Sequence, residues 1–507
     1  MLGYASSNRR FVVAAILIGP AFFLLHLPFL SLPYFWDEAA QFVPAARDIL
    51  SGGGWIPTST TPNIHPPAVM AYLALSWRLA GQNPLTTRSA MLFLAALGAF
   101  CAFLLARELC RQVPGHPEFL AVALLIVSPL FFAQSMLAQL DAPALLFTSL
   151  ALWLFLRGKF SLAAAACVAL VLVKETGLVV PLVFGSCLMA RRRWRESAWF
   201  TAPALILGLW VALLEARTGY WTGSAEFQRY NIFYPLNPVR LILAALRRLY
   251  FLFISSFHWI GTAAILYAWK KTRLFRTPPW RVSWLVVLAQ VLVVTLTGGA
   301  VLERYLLPVM PVLYCAMACG ISQWQRPLRI AASATLFAGL AVGNWVNPFY
   351  SFPYENNLAF TDFVRLHQSA AEYLARYYPG ISVFTAWPLT LELSRPELGF
   401  VSRRIAVASL PNFAPPALAA ISWNRIQIFV AFSRDWDPPI NPMRYAPLLH
   451  FWERSYRQLA NVPRDELHRL VPFPLAASFS RAGQWVDIYV NPAPAGPAGD
   501  DLRVSDH

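Results

Sequence analysis

The sequence predicts an all-α polytopic membrane protein with about eleven transmembrane helices, followed by a soluble α/β domain. Hydrophobic residues make up 57% of the 507 positions and charged residues only 13%, whereas soluble domains average about 25% charged. The basic residues occur in short clusters between apolar segments, as in the cytoplasmic loops of membrane proteins. After about residue 346, Pro, Asn, Asp and Arg become frequent and the long apolar runs end. The net charge of +16 therefore indicates membrane orientation rather than nucleic-acid binding.

The predicted spans are the apolar segments that approach the length of about 20 residues needed for one crossing. They cover residues 11–30, 89–107, 119–135, 142–156, 160–173, 176–190, 198–215, 248–269, 282–298, 304–320 and 327–345. Eleven crossings that begin inside place the dense basic clusters on one face. One helix over 142–173 would bury Arg157 and Lys159, so we predict two. The outer loop 216–247 carries or adjoins five arginines, so either it binds anions or the predicted topology fails there.

The two ends of the chain and the cysteines set further limits. Arg9-Arg10 precede an apolar run with no small-residue cleavage site before Asp37, which predicts an uncleaved signal anchor. All six cysteines lie in or beside apolar segments, which argues against a disulfide framework, and no spacing resembles a zinc site. The tail 492–507 is rich in Pro, Gly and Asp and is predicted to be disordered.

The predicted domains are a transmembrane domain over 1–345 and a soluble extracytoplasmic α/β domain over 346–491. The first outer loop, 31–88, is expected to hold two interfacial helices at 39–50 and 66–80, because aromatic and Arg residues flank short apolar stretches there. In the soluble domain, Thr361 is predicted to cap a helix that runs to Tyr378. Strands are predicted at 381–387, 404–408, 426–432 and 485–490.

An acidic pair follows the first apolar segment, in the motif Trp36-Asp37-Glu38. Carboxylates close to a bilayer are costly, so they indicate function by default. A carboxylate beside an acceptor hydroxyl can take its proton as the hydroxyl attacks a sugar carbon, which makes Asp37 and Glu38 catalytic candidates. The alternative is the polar end of a helix.

Further polar residues fall on the same predicted face. His65 precedes Pro66-Pro67 and is a candidate for binding a phosphate oxygen, although Pro also favours the first turn of an ordinary helix. Asp141 lies at the predicted mouth of two helices, where the alternative role is an N-cap. Arg88 opens the second predicted span and is a candidate for lining the site.

Two dipeptides complete the predicted site. In Lys174-Glu175, the lysine would bind phosphate as a point charge, or the two residues would pair with each other. In Arg304-Tyr305, the guanidinium would hold a phosphate through its planar fork, or the segment would anchor the chain at the interface. No single element is specific, but their convergence on one face favours a site for a lipid-phosphate substrate.

The order of these motifs resembles the polytopic glycosyltransferases with a GT-C fold, in particular bacterial members of glycosyltransferase family 39. These include protein O-mannosyltransferase-like, aminoarabinose transferase-like and rhizobial lipopolysaccharide-core transferase-like proteins. The resemblance is carried by residues 34–40, 45–50, 65–67, 87–89, 138–141, 174–177 and 304–308. The family often has Ala-Arg-x-Asp where this chain has Ala138-Gln139-Leu140-Asp141, so Asp141 matches and Gln139 departs.

The resemblance implies an inverting transfer of a sugar from a polyprenyl-phosphate carrier, on the outer side of a bacterial plasma membrane. The acceptor would be a hydroxyl or amine on a lipid, a glycan or a protein. Asp37 matches the catalytic carboxylate, while Glu38, His65 and Asp141 match positions that line the site. Relatives that use monophosphate carriers need no metal, so the resemblance implies neither a metal nor another cofactor. The sugar and the acceptor are left open.

Two other functions compete with this one. A secondary transporter or lipid flippase also has about this many spans, but its site usually lies near the membrane midplane on broken helices of repeated halves. A non-catalytic scaffold, whose outer domain binds a partner, is the third possibility, because Gln139 stands where the family has Arg.

Overall fold

A computed structural model describes residues 19–436 and 461–492. The first part of the predicted span 11–30 and the predicted disordered tail from 493 onward lie outside the described residues. The chain divides into two compact units. The first, here the membrane unit, comprises 1–30, 41–346 and 355–357; the second, here the sheet unit, comprises 31–40, 347–354 and 358–507. The Trp36-Asp37-Glu38 motif therefore lies in the sheet unit.

The membrane unit consists of helices joined by short turns. Its α-helices are Gly19–Phe29 (whose last three residues are 3₁₀), Val43–Leu50, Ala68–Ala80, Pro84–Leu109, Pro117–Val127, Pro129–Gln134, Asp141–Leu156, Phe160–Val173, Val179–Met189, Trp194–Ala198, Thr201–Thr218, Ala225–Gln228, Pro238–Phe253, His258–Lys271, Pro278–Leu296, Met310–Ile321 and Arg326–Val342. A seven-residue 3₁₀ helix, Glu303–Val309, leads into Met310–Ile321.

Four helical segments among the described residues are long and apolar enough to cross a membrane, or five if one bent pair is a single span. They are Pro84–Leu109, Trp194–Thr218, Pro278–Leu296 and Glu303–Ile321. Six further apolar helices are shorter than a full crossing, including Asp141–Leu156 and Phe160–Val173, which form as two helices, as the sequence predicts. The total of eleven crossings stays a prediction.

Two predicted spans are interrupted in the structure. The single span predicted at 248–269 is wrong: the chain forms Pro238–Phe253 and His258–Lys271, which meet at 84°. Ser256 and Phe257 adopt positive φ between them, which no continuous helix allows. The span predicted at 119–135 is likewise broken, because Ser128 is extended before Pro129 and the backbone before a proline disfavours the helical region.

Three arginines in and beside the loop 216–247, which is predicted to be outer, bind backbone carbonyl groups and an acid. Arg248 donates to Val294 O at 2.5 Å and to Leu302 O at 3.3 Å, and Arg240 donates to Gly299 O at 2.8 Å. Val294 is in the last turn of its helix, where carbonyl groups lack intrahelical partners. Arg247 pairs with Glu303 at 2.6 Å. These three arginines are therefore accounted for by protein contacts.

The sheet unit is a five-stranded mixed sheet with flanking helices. Its strands are β1 (Val383–Ala386), β2 (Val407–Leu410), β3 (Ile428–Phe432), β4 (Leu475–Arg481) and β5 (Gln484–Val490), in the order β2-β1-β3-β5-β4. β1 pairs in parallel with β2 and β3, while β5 is antiparallel to β3 and β4. The helices are Ala359–Tyr377, Leu389–Ser394, Pro415–Ala419 and Arg464–Leu470.

The four predicted strands are present with shifted ends, and β4 is an addition to them. Its residues are mostly exposed, so its alternation is hard to recognise in the sequence. The predicted cap at Thr361 is wrong. The helix begins at Ala359, and the Thr361 hydroxyl donates to the Leu358 carbonyl at 2.8 Å from inside the first turn.

Candidate functional site

The Trp36-Asp37-Glu38 motif is held by backbone contacts within the sheet unit. The Glu38 carboxylate is fully buried and accepts a hydrogen bond from the Phe35 amide at 2.9 Å. Trp36 has a φ of 48°, a conformation that is uncommon for a non-glycine residue. Asp37 is partly exposed. Of the two acids, Glu38 thus fixes the turn, and Asp37 is the one that solvent reaches.

The indole of Trp36 packs at the carboxyl edge of the parallel strands. Its ring lies 4.6 Å from that of Trp387, which follows β1, and 5.7 Å from that of Phe363. The guanidinium of Arg434, which follows β3, lies 5.9 Å from the Trp36 ring centroid. The chain leaves β1 toward β2 on one side and returns to β3 on the other. Ligands of such sheets bind at this reversal point, outside the carboxyl ends.

The membrane unit contains a buried cluster of four charged side chains, here called the charge cluster: Asp141, Lys174, Arg304 and Glu355. Lys174 Nζ lies 2.5 Å from Asp141 Oδ1, and Arg304 Nε lies 3.6 Å from Asp141 Oδ2. Arg304 also approaches both Glu355 oxygens, with Nε at 3.3 Å and Nη1 at 3.4 Å. Two cations thus face two anions, which compensates the cost of burying each charge.

Tyr305 and Gln139 complete the surroundings of the charge cluster. The Tyr305 ring lies 4.3 Å from Lys174 Nζ and 5.5 Å from the Arg304 guanidinium carbon, so its negative face stabilises both cations. Gln139, which departs from the family pattern, donates to Glu355 Oε2 at 3.2 Å. The amide at position 139 therefore contacts an acid of the cluster, and Arg304 supplies a guanidinium to the same acid.

His65 and Glu175 form a second polar pair in the membrane unit. His65 Nδ1 lies 2.8 Å from Glu175 Oε2, and the imidazole packs edge-on against Phe227. Glu175 lies in the turn after Phe160–Val173, directly after Lys174. Burial disfavours the ionised carboxyl, but the adjacent His65 and Lys174 outweigh this effect and lower the pKa of Glu175 below its ordinary value. Glu175 is therefore ionised, and its carboxylate orients the imidazole of His65.

Arg88 and Glu303 have protein partners outside the charge cluster. Arg88 is fully buried, and its Nη1 donates to Met136 O at 3.2 Å, so it supports the loop that precedes Asp141. Glu303 accepts from Asn356 at 2.8 Å in addition to pairing with Arg247. These contacts give Glu303 a structural role, and the site-lining role of Arg88 stays a prediction.

The structure brings Asp141, Lys174, Arg304 and Tyr305 together, as their predicted common face requires. The alternative roles weighed for them are wrong: Asp141 is the first residue of its helix rather than the cap, and Lys174 pairs with Asp141, not with Glu175. The segment Glu303–Val309 is buried rather than interfacial. Sequence reasoning missed Glu355, which lies beyond the last apolar segment and carries no motif.

Glu38→Ala is expected to destabilise the protein by about 1.5–3 kcal/mol, the range for a hydrogen bond to a charged group. The change leaves the buried Phe35 amide without the carboxylate oxygen that accepts its hydrogen bond in the turn. Thermal unfolding of the purified protein measures the effect. An unchanged melting temperature would contradict a structural role for Glu38.

Comparison with known proteins identifies a matching family and solved structures of similar fold. The family described as dolichyl-phosphate-mannose-protein mannosyltransferase matches residues 64–216. The structure of ArnT from Cupriavidus metallidurans bound to undecaprenyl phosphate aligns with a TM-score of 0.53 at 13% identity, covering 97% of this chain and 99% of that chain. ArnT in the apo state aligns with a TM-score of 0.52 at 13% identity, covering 96% and 98%. No curated protein matches the sequence significantly.

A more distant likeness is the archaeal oligosaccharyltransferase AglB from Archaeoglobus fulgidus, with a TM-score of 0.49, 12% identity and coverage of 83% and 69%. The predicted resemblance to the GT-C glycosyltransferases is confirmed by the family match and the ArnT fold. The family match includes His65, Asp141, Lys174 and Glu175. The alignment with ArnT shows a shared fold, and the family match covers 64–216 of the 507 residues.

Proposed function

We propose that this GT-C chain transfers a sugar from a polyprenyl-phosphate donor to an acceptor hydroxyl or amine, with inversion, on the outer face of the bacterial plasma membrane. The observation that carries the proposal is the charge cluster, in which Lys174 and Arg304 are buried beside Asp141. Asp141 and Lys174 lie within the family-matched segment. Cations held in a buried setting are suited to a lipid phosphate. ArnT binds undecaprenyl phosphate, and the family's description names dolichyl-phosphate mannose.

In the proposed reaction, Asp37 takes the proton from the acceptor as its oxygen or nitrogen attacks the anomeric carbon. The bond between that carbon and the phosphate oxygen breaks, and its electron pair stays on the phosphate. The donor phosphodiester, with one negative charge, becomes a polyprenyl phosphate monoester with a second developing charge. Groups that stabilise charge which develops only in the transition state accelerate the reaction. Lys174 and Arg304 are proposed for this role.

His65 is proposed to orient the phosphate. Nδ1 contacts the Glu175 carboxylate, and Nε2 is the ring nitrogen proposed to contact an anionic oxygen. Tyr305 and Asp141 are proposed to line the site and hold Lys174 in position, since both contact its ammonium group. The arrangement uses side chains alone, and we propose that neither a metal nor another cofactor takes part in the transfer.

The acceptor is proposed to bind beside the sheet unit. Trp36 directly precedes Asp37, and its indole is fixed by Trp387 and Arg434 at the carboxyl edge of the sheet. All three side chains are partly exposed. Flat aromatic rings and a guanidinium fit an acceptor that carries a sugar ring and an anionic group, as cell-envelope lipids and glycans do.

The alternative is a secondary transporter or lipid flippase. One observation favours it: Pro238–Phe253 and His258–Lys271 form a span broken at 84°, and broken helices are common in transporters. The charge cluster, however, is formed by residues outside that pair.

Cleavage of the donor in detergent separates the two functions. A transporter moves its substrate between compartments and does not release the sugar from its carrier. The purified full-length chain is incubated with radiolabelled polyprenyl-phosphate sugars and with lipid, glycan or peptide acceptors. We expect one donor to lose its sugar in a time-dependent reaction and to leave polyprenyl phosphate. Binding of carriers without cleavage of any of them, together with transport in proteoliposomes, would establish the alternative.

A further inference from the structure

Three cysteines from distant parts of the chain meet at one end of the membrane unit. Cys110 ends the helix Pro84–Leu109, and Cys315 and Cys319 lie on Met310–Ile321. The Cys110 sulfur lies 3.3 Å from that of Cys315 and 3.0 Å from that of Cys319, and all three sulfurs lie within 4.8 Å of one another. Cys110 and Cys315 are 205 positions apart, so no spacing rule reveals the cluster.

The surroundings of the three sulfurs favour a cation. Cys315 and Cys319 are four positions apart on one helix face, which directs both toward Cys110. The C-terminal end of a helix carries partial negative charge. Cys110 lies at such an end, where its backbone amide donates a hydrogen bond to the Ala106 carbonyl. Glu118, in the first turn of the helix Pro117–Val127, adds a carboxylate in the segment that follows Cys110. Sulfur ligands, helix end and carboxylate all favour a positive ion here.

A surface cavity of about 470 Å³ lies beside the helix that carries Cys315 and Cys319. It is lined by His116, Pro117, Ala318 and Ser322 among others, and so borders the helix positions next to Cys319. The exposed imidazole of His116 lies at this surface and is a common metal ligand.

We propose that Cys110, Cys315 and Cys319 form a three-sulfur site for a soft, thiophilic cation, and that this cation is Cu(I). Thiolates select soft ions, while structural zinc almost always takes four ligands. With metal–sulfur bonds of about 2.3 Å, a trigonal site needs sulfurs about 4 Å apart. The sulfur separations of 3.3 Å and 3.0 Å from Cys110 reach this value through small rotations of the cysteine side chains. Each coordinating thiol releases its proton to solvent, and the ion joins two helices of the membrane unit.

The ordinary alternative is that the three thiols only fill space, since free cysteine behaves as a small hydrophobic residue in a core. The two descriptions differ in what a titration measures. The proposal is independent of glycosyl transfer, so its failure leaves the proposed function untouched.

The test is a titration of the purified, reduced full-length protein under inert gas, with Cu(I) delivered from a chromophoric chelator. The variants are Cys110→Ala and Cys319→Ala, and Cys167→Ala is the matched control, because Cys167 is equally buried elsewhere in the membrane unit. We expect one equivalent of Cu(I) in the wild type and the control, and affinity lower by at least about tenfold in the cluster variants. Cu(I) should also raise the melting temperature of the wild type.

Three results would overturn the proposal. The first is a wild-type protein that retains no copper in competition with the chelator. The second is copper binding that the cluster variants leave unchanged or that Cys167→Ala weakens equally. The third is tighter competition by Zn(II) than by Cu(I), which would reject the assigned ion. If a cluster variant fails to fold, the copper-dependent melting temperature of the wild type and of Cys167→Ala still decides whether copper binds.

Discussion

Asp37→Asn is expected to lower the turnover of the polyprenyl-phosphate donor by about 10²–10⁴-fold, the contribution usual for a general base. Asparagine has nearly the shape of aspartate but does not accept the acceptor proton at neutral pH. Asp37 is partly exposed, and the Phe35 amide beside it donates to the Glu38 carboxylate, a contact that Asp37→Asn leaves in place. The loss should therefore appear in kcat, while the melting temperature and the affinity for polyprenyl phosphate stay close to those of the wild type.

The matched control for this variant is Asp465→Asn, which removes a charge from an exposed helix position of the same sheet unit. Surface substitutions of this kind change the free energy of unfolding by about 0.5 kcal/mol or less. Turnover of the donor should therefore stay within about twofold of the wild type. Full activity in Asp37→Asn would reject its role as base. Equal losses in both variants would point to a general sensitivity to charge rather than to a specific proton transfer.

The helices were predictable where apolar composition alone decides the structure. Asp141–Leu156 and Phe160–Val173 form as the hydropathy pattern indicates, because Arg157 and Lys159 cannot lie inside a continuous buried helix. The bend between Phe253 and His258 was not predictable in this way, since Ser255-Ser256-Phe257 is not a strong breaker in sequence. The helix before the bend is held by the buried Arg240 and Arg248, which donate to the Gly299 and Val294 carbonyls, contacts that no local sequence pattern reveals.

The charge cluster shows the same division. That Asp141, Lys174 and Arg304 converge follows from their positions at the ends of apolar segments. Their pairing does not: Lys174 is adjacent to Glu175 in sequence, yet its ammonium binds Asp141 while Glu175 binds His65. Consecutive residues in an extended or turn conformation point in different directions, so neighbours in sequence seldom form ion pairs. Glu355 was unpredictable, because it lies beyond the last apolar segment and carries no motif.

Breaking the pair between Asp141 and Lys174 is expected to have the largest effect on stability. Removing one partner of a buried ion pair costs about 3–5 kcal/mol, because the other charge stays buried without that partner. Without Lys174, Asp141 keeps only the contact with Arg304 Nε at 3.6 Å among the ion pairs described above. Asp141→Asn and Lys174→Met should each lower the melting temperature strongly and reduce the yield of folded protein. Their pair is among the most buried, with side-chain exposures of 6% for Lys174 and 3% for Asp141.

The double variant Asp141→Asn/Lys174→Met separates stability from function. Replacing both charges by neutral groups of similar volume is often nearly neutral or stabilising, so the double variant should regain most of the lost stability. It lacks the ammonium group proposed to stabilise the leaving phosphate, and the loss of one such group costs about 10²–10³-fold in rate. We therefore expect a folded protein, shown by its melting temperature and monodisperse elution, that turns over the donor at least about 100-fold more slowly. A stable double variant with wild-type turnover would show that Lys174 only balances Asp141, and the role in binding the donor phosphate would pass to Arg304 alone.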